Sequence, residues 1–542
     1  MRLAYVCVVL AFGCGGKASG GGDDQPPIDA GPDAPDPCKV DPANCPTDDG
    51  LFVSTARGAD TNPGSKAMPL KTIAAGITKA KAKGGAQVVY VAQGLYPEKV
   101  TLSEGISLNG GYECNAGACG WTRDLSMFET TIVNQDFEGV LAGAGITVNT
   151  LIGGFTIRGK DGTPTVAPGS VGIMIAAGAP TVRGNKIIGG AVSGSATSGA
   201  DRSVGIAMRS TGSNLATIEN NDITGGTAIG LSAAITMESV SGVLSHANII
   251  ANVLRSGTAR RSDGLAMFAA GTATLVANND ITAGSSNGGA SNGIEMFSNG
   301  TISNNRINVD ANATGTCNQQ TQWCAGIATN GATAIIINNV VYGPKAQRSA
   351  GVFMTESEVP TGAVILNANY LNGGGTNAIA GGSARSQSAG VVVSIGACNT
   401  CGLKGAVGRV RNNILDGGIN LDRYGVREDP AQGKTTRVEV LDSNDIWFAA
   451  QLPGRNDVLY RQMSAMGVPT DTKSVFLLNG WNSPPTMNNL NDDPILDNTW
   501  HLDQNSPCID VGTVTEAPGK DFDGEGRPNN GVVDIGADET QQ

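Results

Sequence analysis

Residues 264–284 read GLAMFAAGTATLVANNDITAG, residues 293–309 read GIEMFSNGTISNNRINV, and residues 326–343 read GIATNGATAIIINNVVYG. One phrase recurs in all three. It is glycine, a short apolar run, a polar turn, a second apolar run, then asparagine before an aliphatic residue. Apolar residues alternate within it, as in Ile206 and Met208 or Ile294 and Met296, which is the period of a strand and not of a helix. Strands this short cannot stand alone. Stacked in register, each buries one face and hydrogen-bonds to the copies above and below it.

The phrase extends from about residue 171 to 448. Its anchoring asparagines read as Asn185, Asn221, Asn248, Asn279, Asn305, Asn339, Asn369, Asn413 and Asn444, with a mean spacing of about 32 residues. A leucine-rich repeat needs an LxxLxL frame and a helical repeat needs amphipathic stretches, and neither occurs. The pattern predicts an all-β solenoid, a single-stranded parallel β-helix. Glycine and asparagine suit its corners because both tolerate the left-handed conformation, and stacked asparagines can form a hydrogen-bonded ladder. With rungs ~4.8 Å apart, ten to twelve of them make a rod roughly 50 Å long.

Composition agrees. Glycine supplies 77 of 542 residues and charged residues only 15%, against usual shares of ~7% and ~25%. The net charge of −12 argues against a nucleic-acid partner. Two histidines, His246 and His501, leave little room for zinc chemistry or a histidine-based triad. No stretch beyond the N-terminus is apolar for long enough to span a membrane.

The N-terminus reads as an address. In MRLAYVCVVLAFG (1–13), Arg2 precedes an apolar run, the plan of an export signal. Ala11-Phe12-Gly13-Cys14 resembles the bacterial lipobox, although Ala11 stands where leucine is usual and Phe12 where a small residue is usual. The resemblance implies lipidation of Cys14. Residues 15–50 hold seven prolines and eight aspartates, so residues 14–50 read as an acidic, extended tether. Gly15 in place of aspartate favours the outer membrane by analogy with sorting rules. The expected protein is therefore an outer-membrane lipoprotein facing the periplasm or the medium, held to the membrane by lipid alone. Eight further cysteines fall into close pairs, Cys38/Cys45, Cys114/Cys119, Cys317/Cys324 and Cys398/Cys401, which in an exported chain read as small disulfide loops. Cys508 is left over.

Both ends need covering, because an open β-helix end exposes its core and its unpaired edges. At the N-side, PLKTIAAGITKAKAK (69–83) predicts a capping helix. Pro69 would sit at its first position and Gly84-Gly85 at its stop. Leu70, Ile73, Ile77 and Ala80 would form its buried face. Cap and first rungs then occupy residues 51–130, the repeats 131–449, and a closing module 450–542. Trp447, Trp481 and Trp500 are expected to cover the core at the C-terminal end.

Two segments carry a family resemblance. LFVSTARGADTNPGSKAMPLKTIAAGI…VVYVAQGLY (51–96) resembles the N-terminal module of right-handed parallel β-helix proteins of the pectate-lyase-like superfamily. DDPILDNTWHLDQNSPCIDVGT…DFDGEGRPNNGVVDIGADE (492–539) resembles the closing module of the same proteins. The resemblance implies the right-handed hand of the coil. It implies function weakly, because one rod carries lyases, hydrolases, adhesins and proteins without activity.

Lyases on this fold typically use lysine or arginine as base beside acid-bound Ca2+. No compact group of aspartates with such a partner is visible here. Asp222 and Asp280, next to the anchoring asparagines, are candidate ligand contacts, but two rungs apart they stand roughly 10 Å from one another. Arg409 and Arg411 share a strand and read as a solvated pair. Asp521, Asp523 and Glu525 resemble the start of a calcium loop, or else fix a turn near Arg527. Trp323, inside the Cys317–Cys324 loop, is a candidate platform for a sugar ring. The leading reading is a tethered, monomeric, non-catalytic β-helix that binds envelope or other glycan or makes adhesive contacts. The alternative is a polysaccharide lyase or glycoside hydrolase of the same superfamily.

Overall fold

The computed structural model describes residues 45–542, apart from residues 166, 195–200, 213, 298, 310–322, 331–332, 356–363, 376–384, 395–403, 430–434, 450–453, 465–467, 482–483 and 542. The export signal, Cys14, most of the tether, and Cys38, Cys317, Cys398 and Cys401 lie outside the described residues. No described helix is long and apolar enough to cross a membrane.

The chain winds as a right-handed parallel β-helix. Each turn contributes one strand to each of three sheets, of 14, 12 and 12 strands among the described residues. In one turn the chain passes through Ser170–Ala176 of the third sheet, Thr181–Arg183 of the first and Lys186–Ile188 of the second. Inward side chains form continuous columns. Ile206, Ile235, Leu265, Ile294, Ile327, Val352, Val391 and Val426 stack along the third sheet, all fully buried.

The corner between the first and second sheets is an asparagine ladder. Asn305 donates from its backbone N to Asn339 Oδ1 at 3.0 Å, and from Nδ2 to the same oxygen at 2.9 Å. Nδ2 also donates to Val276 O and Ser303 O, each at 2.9 Å. The pattern repeats through Asn185, Asn221, Asn252, Asn279, Asn305, Asn339, Asn369, Asn413, Asn444 and Asn489. Asn252, not the expected Asn248, is the ladder member of its turn. Asn248 lies inside the strand His246–Ile250, whereas Asn252 follows Ala251, whose φ of 55° makes the left-handed corner. A second ladder lies at the entry to the third sheet. Ser203 Oγ donates to Gly190 O and accepts from Gly226 N, and Ser262 Oγ donates to Gly257 O and Ser285 O. These asparagines and serines are buried. They keep the formal charge low because they serve the interior, not because they cover the rod.

At the N-terminal end, the helix Ile73–Lys83 buries Ile73, Gly76, Ile77 and Ala80, and Leu70 is buried beside it. It starts later than expected. Thr72 is its N-cap, accepting from Ala75 N at 3.1 Å, while Leu70 bridges Val53 in the manner of a strand. Glu98 accepts from Ile73 N and Ala74 N, closing two donors that the first turn leaves open.

Within the closing module, residues 492–539 do not plug the end. Leu502, Cys508, Ile535 and Ala537 pack on Val340, Tyr370 and Ile414, the outward residues of the second sheet. Trp500 lies here and not over the terminal core, its Nε1 donating to Tyr342 Oη at 2.6 Å. Asn304 donates to the carbonyls of Asp521 and Phe522, and Asn412 to Thr513 O, so the segment is laced to the asparagine corner. The exposed terminal edge is closed differently. Pro469–Thr472 pairs antiparallel with the strand Asn456–Met463, and Trp481 packs edge-on against Tyr460.

Beneath the closing segment, Asp445 is fully buried against the Cys508 thiol, and burial pushes its carboxyl up to about 7. An acid raised in the folded state ionises first in the unfolded chain. It therefore costs stability progressively as pH climbs from about 4, its unfolded value, to about 7. Replacing Asp445 with asparagine should leave stability unchanged near pH 4 and raise it at pH 8. Urea midpoints of the two chains across that range check this.

Candidate functional site

The residues singled out in the sequence do not converge. Asp222 stands opposite Val253, and Val253 opposite Asp280, on the outer face of the second sheet, so the two acids are two rungs apart. Asp222 is ion-paired to Arg255 at 2.6 Å. Arg409 and Arg411 both pair with Glu516 of the closing segment, binding the tail to the first sheet. Asp521 is buried, and its carboxylate accepts from the backbone N of Asp523, Glu525 and Glu539. That is the turn-fixing role, with Arg527 donating to Gly536 O nearby. Asp523 instead faces His501 at 2.7 Å, and Glu525 is exposed. Cys114 and Cys119 form a disulfide, Cys45 and Cys324 are each disulfide-bonded, and Cys508 is a buried free thiol.

Trp323 is different, because it sits in the wall of a groove of about 700 Å³ on the outer face of the third sheet. Here successive strands present Ala266, Glu295, Ala328, Phe353, Val392 and Arg427 outward, one per rung. Ala325, Ala350, Ala389 and Tyr424 form the adjoining column, fully buried in a small apolar cluster with Trp323 that is separate from the main core.

Charge defines the rest. Arg260, Arg261, Arg348, Glu295 and Asp429 all line the groove. Arg261 donates to the fully buried Asp263 at 2.7 Å and ion-pairs with Glu295. Burial holds the Asp263 carboxyl above the usual carboxylate range, with Arg261 pulling against it. Asp429 is held by Arg427 and by Trp323 Nε1, which donates to it at 2.8 Å. Arg348 and Arg427 lie over the Trp323 ring, at 5.4 and 5.3 Å from its centroid. The indole, 5% exposed, is therefore not an open platform but a spacer that aims two guanidiniums. The accessible aromatic surface in the groove is Phe353, which is half-buried. No carboxylate among the described residues ion-pairs with Arg348. Burial pulls its pKa down and Asp429 offsets this, but an arginine stays cationic throughout.

The groove arginines escaped the sequence reading, although a signal was present. RSVGIAM (202–208), RSDGLAM (261–267) and RSAGVFM (348–354) are one motif. Its serine feeds the buried ladder, which sets the neighbouring arginine at the entry of a third-sheet strand. Arg202 spends its charge on Glu238 and Arg261 on two acids. Arg348 opens onto the groove.

No family model matches the chain, and no curated protein matches it. Solved structures do. A tailspike protein, Dettilon gp208, is 14% identical over 76% of this chain and 68% of its own, with a TM-score of 0.35. The pectate lyase Pel9A is 12% identical over 90% of this chain and 96% of its own, TM-score 0.35. XylC, solved in complex with xylose, is 11% identical over 90% and 98%, TM-score 0.36. The chain is a right-handed parallel β-helix. That fold is read from its own three parallel sheets; at these identities and TM-scores the matched structures add nothing to it.

Proposed function

We propose that this β-helix binds an anionic glycan chain in the groove of its third sheet, without cleaving it, while tethered through Cys14 to the outer membrane. The observation that carries the reading is Arg348, a guanidinium without an ion pair among the described residues, opening onto a groove that also holds Arg260 and Arg261. The whole chain has a net charge of −12, so a groove whose arginines outnumber its two acids is a local exception. A guanidinium fork matches the carboxylate or sulfate of an acidic sugar, and Phe353 offers an apolar ring for the sugar's C–H face.

Both acids in the groove are already engaged, Glu295 by Arg261 and Asp429 by Arg427 and Trp323. That arrangement favours holding a ligand over acid–base work, which needs a carboxyl free to exchange a proton. A groove on the side of a rod suits a chain-like ligand running across rungs. A lipid at Cys14 with an acidic tether would present it away from the membrane.

Arg348→Ala should weaken binding of a polyuronate or sulfated oligosaccharide at least tenfold, the loss of one charge-assisted contact of roughly 1.5–3 kcal/mol. It should leave the unfolding midpoint nearly unchanged. Calorimetric titration of both chains checks this, and equal affinity in the two would remove Arg348 from the site. Release of unsaturated or reducing ends from the bound glycan would replace binding with catalysis. Labelling with a lipid precursor that survives Cys14→Ser would remove the anchor.

A further inference from the structure

The strongest chemistry outside the groove lies in the closing segment. His501, Asp523 and Asp538 offer one ligand atom each, all within 4.8 Å of one another. The three residues come from three separate parts of the segment, and their convergence has to be explained.

The hydrogen bonds around His501 set its tautomer. Thr499 Oγ1 lies 2.7 Å from Asp497 Oδ1 and 2.9 Å from Asp497 Oδ2, so its proton goes to that carboxylate. The same hydroxyl lies 2.7 Å from His501 Nδ1 and, with its proton committed, can only accept there. The imidazole then carries a proton on Nδ1 and turns Nε2 outward. Nε2 faces Asp523 Oδ2 at 2.7 Å. A ring nitrogen and a carboxylate approach this closely only with a positive centre between them, a proton or a metal ion.

Asp538 adds a second negative group. It is 6% exposed, and among the described residues its carboxylate accepts a hydrogen bond from Leu502 N to Oδ2, at 2.8 Å. Among the described residues no lysine or arginine pairs with Asp538 or with Asp523. A buried carboxylate, an imidazole nitrogen and a second carboxylate thus converge on one point, the donor set of a transition-metal site.

We propose that His501, Asp523 and Asp538 bind a first-row divalent cation, of which zinc is the type, through His501 Nε2 and one oxygen from each aspartate. An imidazole nitrogen with two carboxylates suits zinc and its neighbours, whereas Ca2+ and Mg2+ prefer oxygen-only shells. Thr499 and Asp497 are the outer partners that hold the ring in the ligating tautomer. His501 and Asp523 are partly exposed, which leaves room for water to complete the coordination. The ion staples together three parts of the segment that covers the second sheet. This replaces the calcium reading of Asp521, Asp523 and Glu525, because Asp521 spends its oxygens on backbone donors and only Asp523 is shared.

The test uses the chelator-treated chain, titrated with Zn2+ and separately with Ca2+ by calorimetry and by thermal unfolding. The expected result is one zinc per chain and a raised unfolding midpoint, with Ca2+ unable to substitute. His501→Ala should weaken zinc binding at least about a hundredfold. Asp523→Asn, at an exposed position that leaves the buried packing intact, should weaken it as well while the metal-free midpoint stays put. Saturation only at millimolar zinc, zinc affinity unchanged by His501→Ala, or equal binding of Ca2+ would each overturn the proposal. In that case a proton shared between His501 and Asp523 is what sits between them.

Discussion

Asn305→Ala is expected to destabilise the rod by at least about 3 kcal/mol, the range reached when a buried network loses a member and strands its partners. Asn305 Nδ2 serves Val276 O, Ser303 O and Asn339 Oδ1, and Asn305 Oδ1 accepts from both the backbone N and Nδ2 of Asn279. Alanine leaves these groups buried without partners at a corner where water cannot follow. The effect should be local in origin but felt along the stack, because each rung is the template for the next. Denaturant unfolding of Asn305→Ala beside Asn248→Ala makes the comparison sharp. Asn248 has the same residue type in the same repeat but lies within a strand, outside the ladder, so its loss should cost far less.

Gly326→Ala should cost about 3 kcal/mol, at the upper end of overpacking. A Cβ there would fall 2.1 Å from Val341 Cγ1 and 2.9 Å from Gly351 O. The same inward position holds Gly172, Gly205, Gly264, Gly293, Gly351, Gly390 and Gly425, where a Cβ would likewise meet a second-sheet side chain or the next carbonyl. Between Gly172 and Gly425 the column is broken only at Ala234, and the second-sheet residue of that turn is Leu254, which branches at Cγ and not at Cβ. Val341→Leu should therefore recover much of the loss in Gly326→Ala. A double-mutant cycle on the unfolding midpoints reads the coupling directly. The high glycine content thus has two sources. Some glycine turns corners, and a column of it, interrupted at Ala234, lets the second and third sheets approach closely.

What the sequence made legible follows from repetition. The alternation in Ile206/Met208 and Ile294/Met296 marks inward columns because every turn must repeat the same burial. The asparagine before an aliphatic marks the ladder for the same reason, and the one misplaced member arose because HANIIANVL offers two asparagines. Only a left-handed residue ahead of the second, Ala251, decides between them. The groove was less legible because its residues are exceptions to the repeat. Phe353 stands where Ala266 and Ala328 stand on other rungs, and Arg348 differs from Arg261 only in what happens to face it. The fold-back of the closing segment was illegible for a related reason. Leu502, Cys508 and Ile535 cover Val340, Tyr370 and Ile414, outward residues that periodicity assigns to solvent.

The most direct test of the glycan reading is an array that pairs each acidic oligosaccharide with its neutral counterpart, probed with the chain from residue 46 onward and with Arg348→Ala. The native chain should bind members of the acidic set, uronate- or sulfate-bearing, and pass over their carboxyl-reduced or desulfated partners, with the signal lost in the variant. Binding to the neutral partners with equal strength, or an acidic signal that persists in Arg348→Ala, would contradict it.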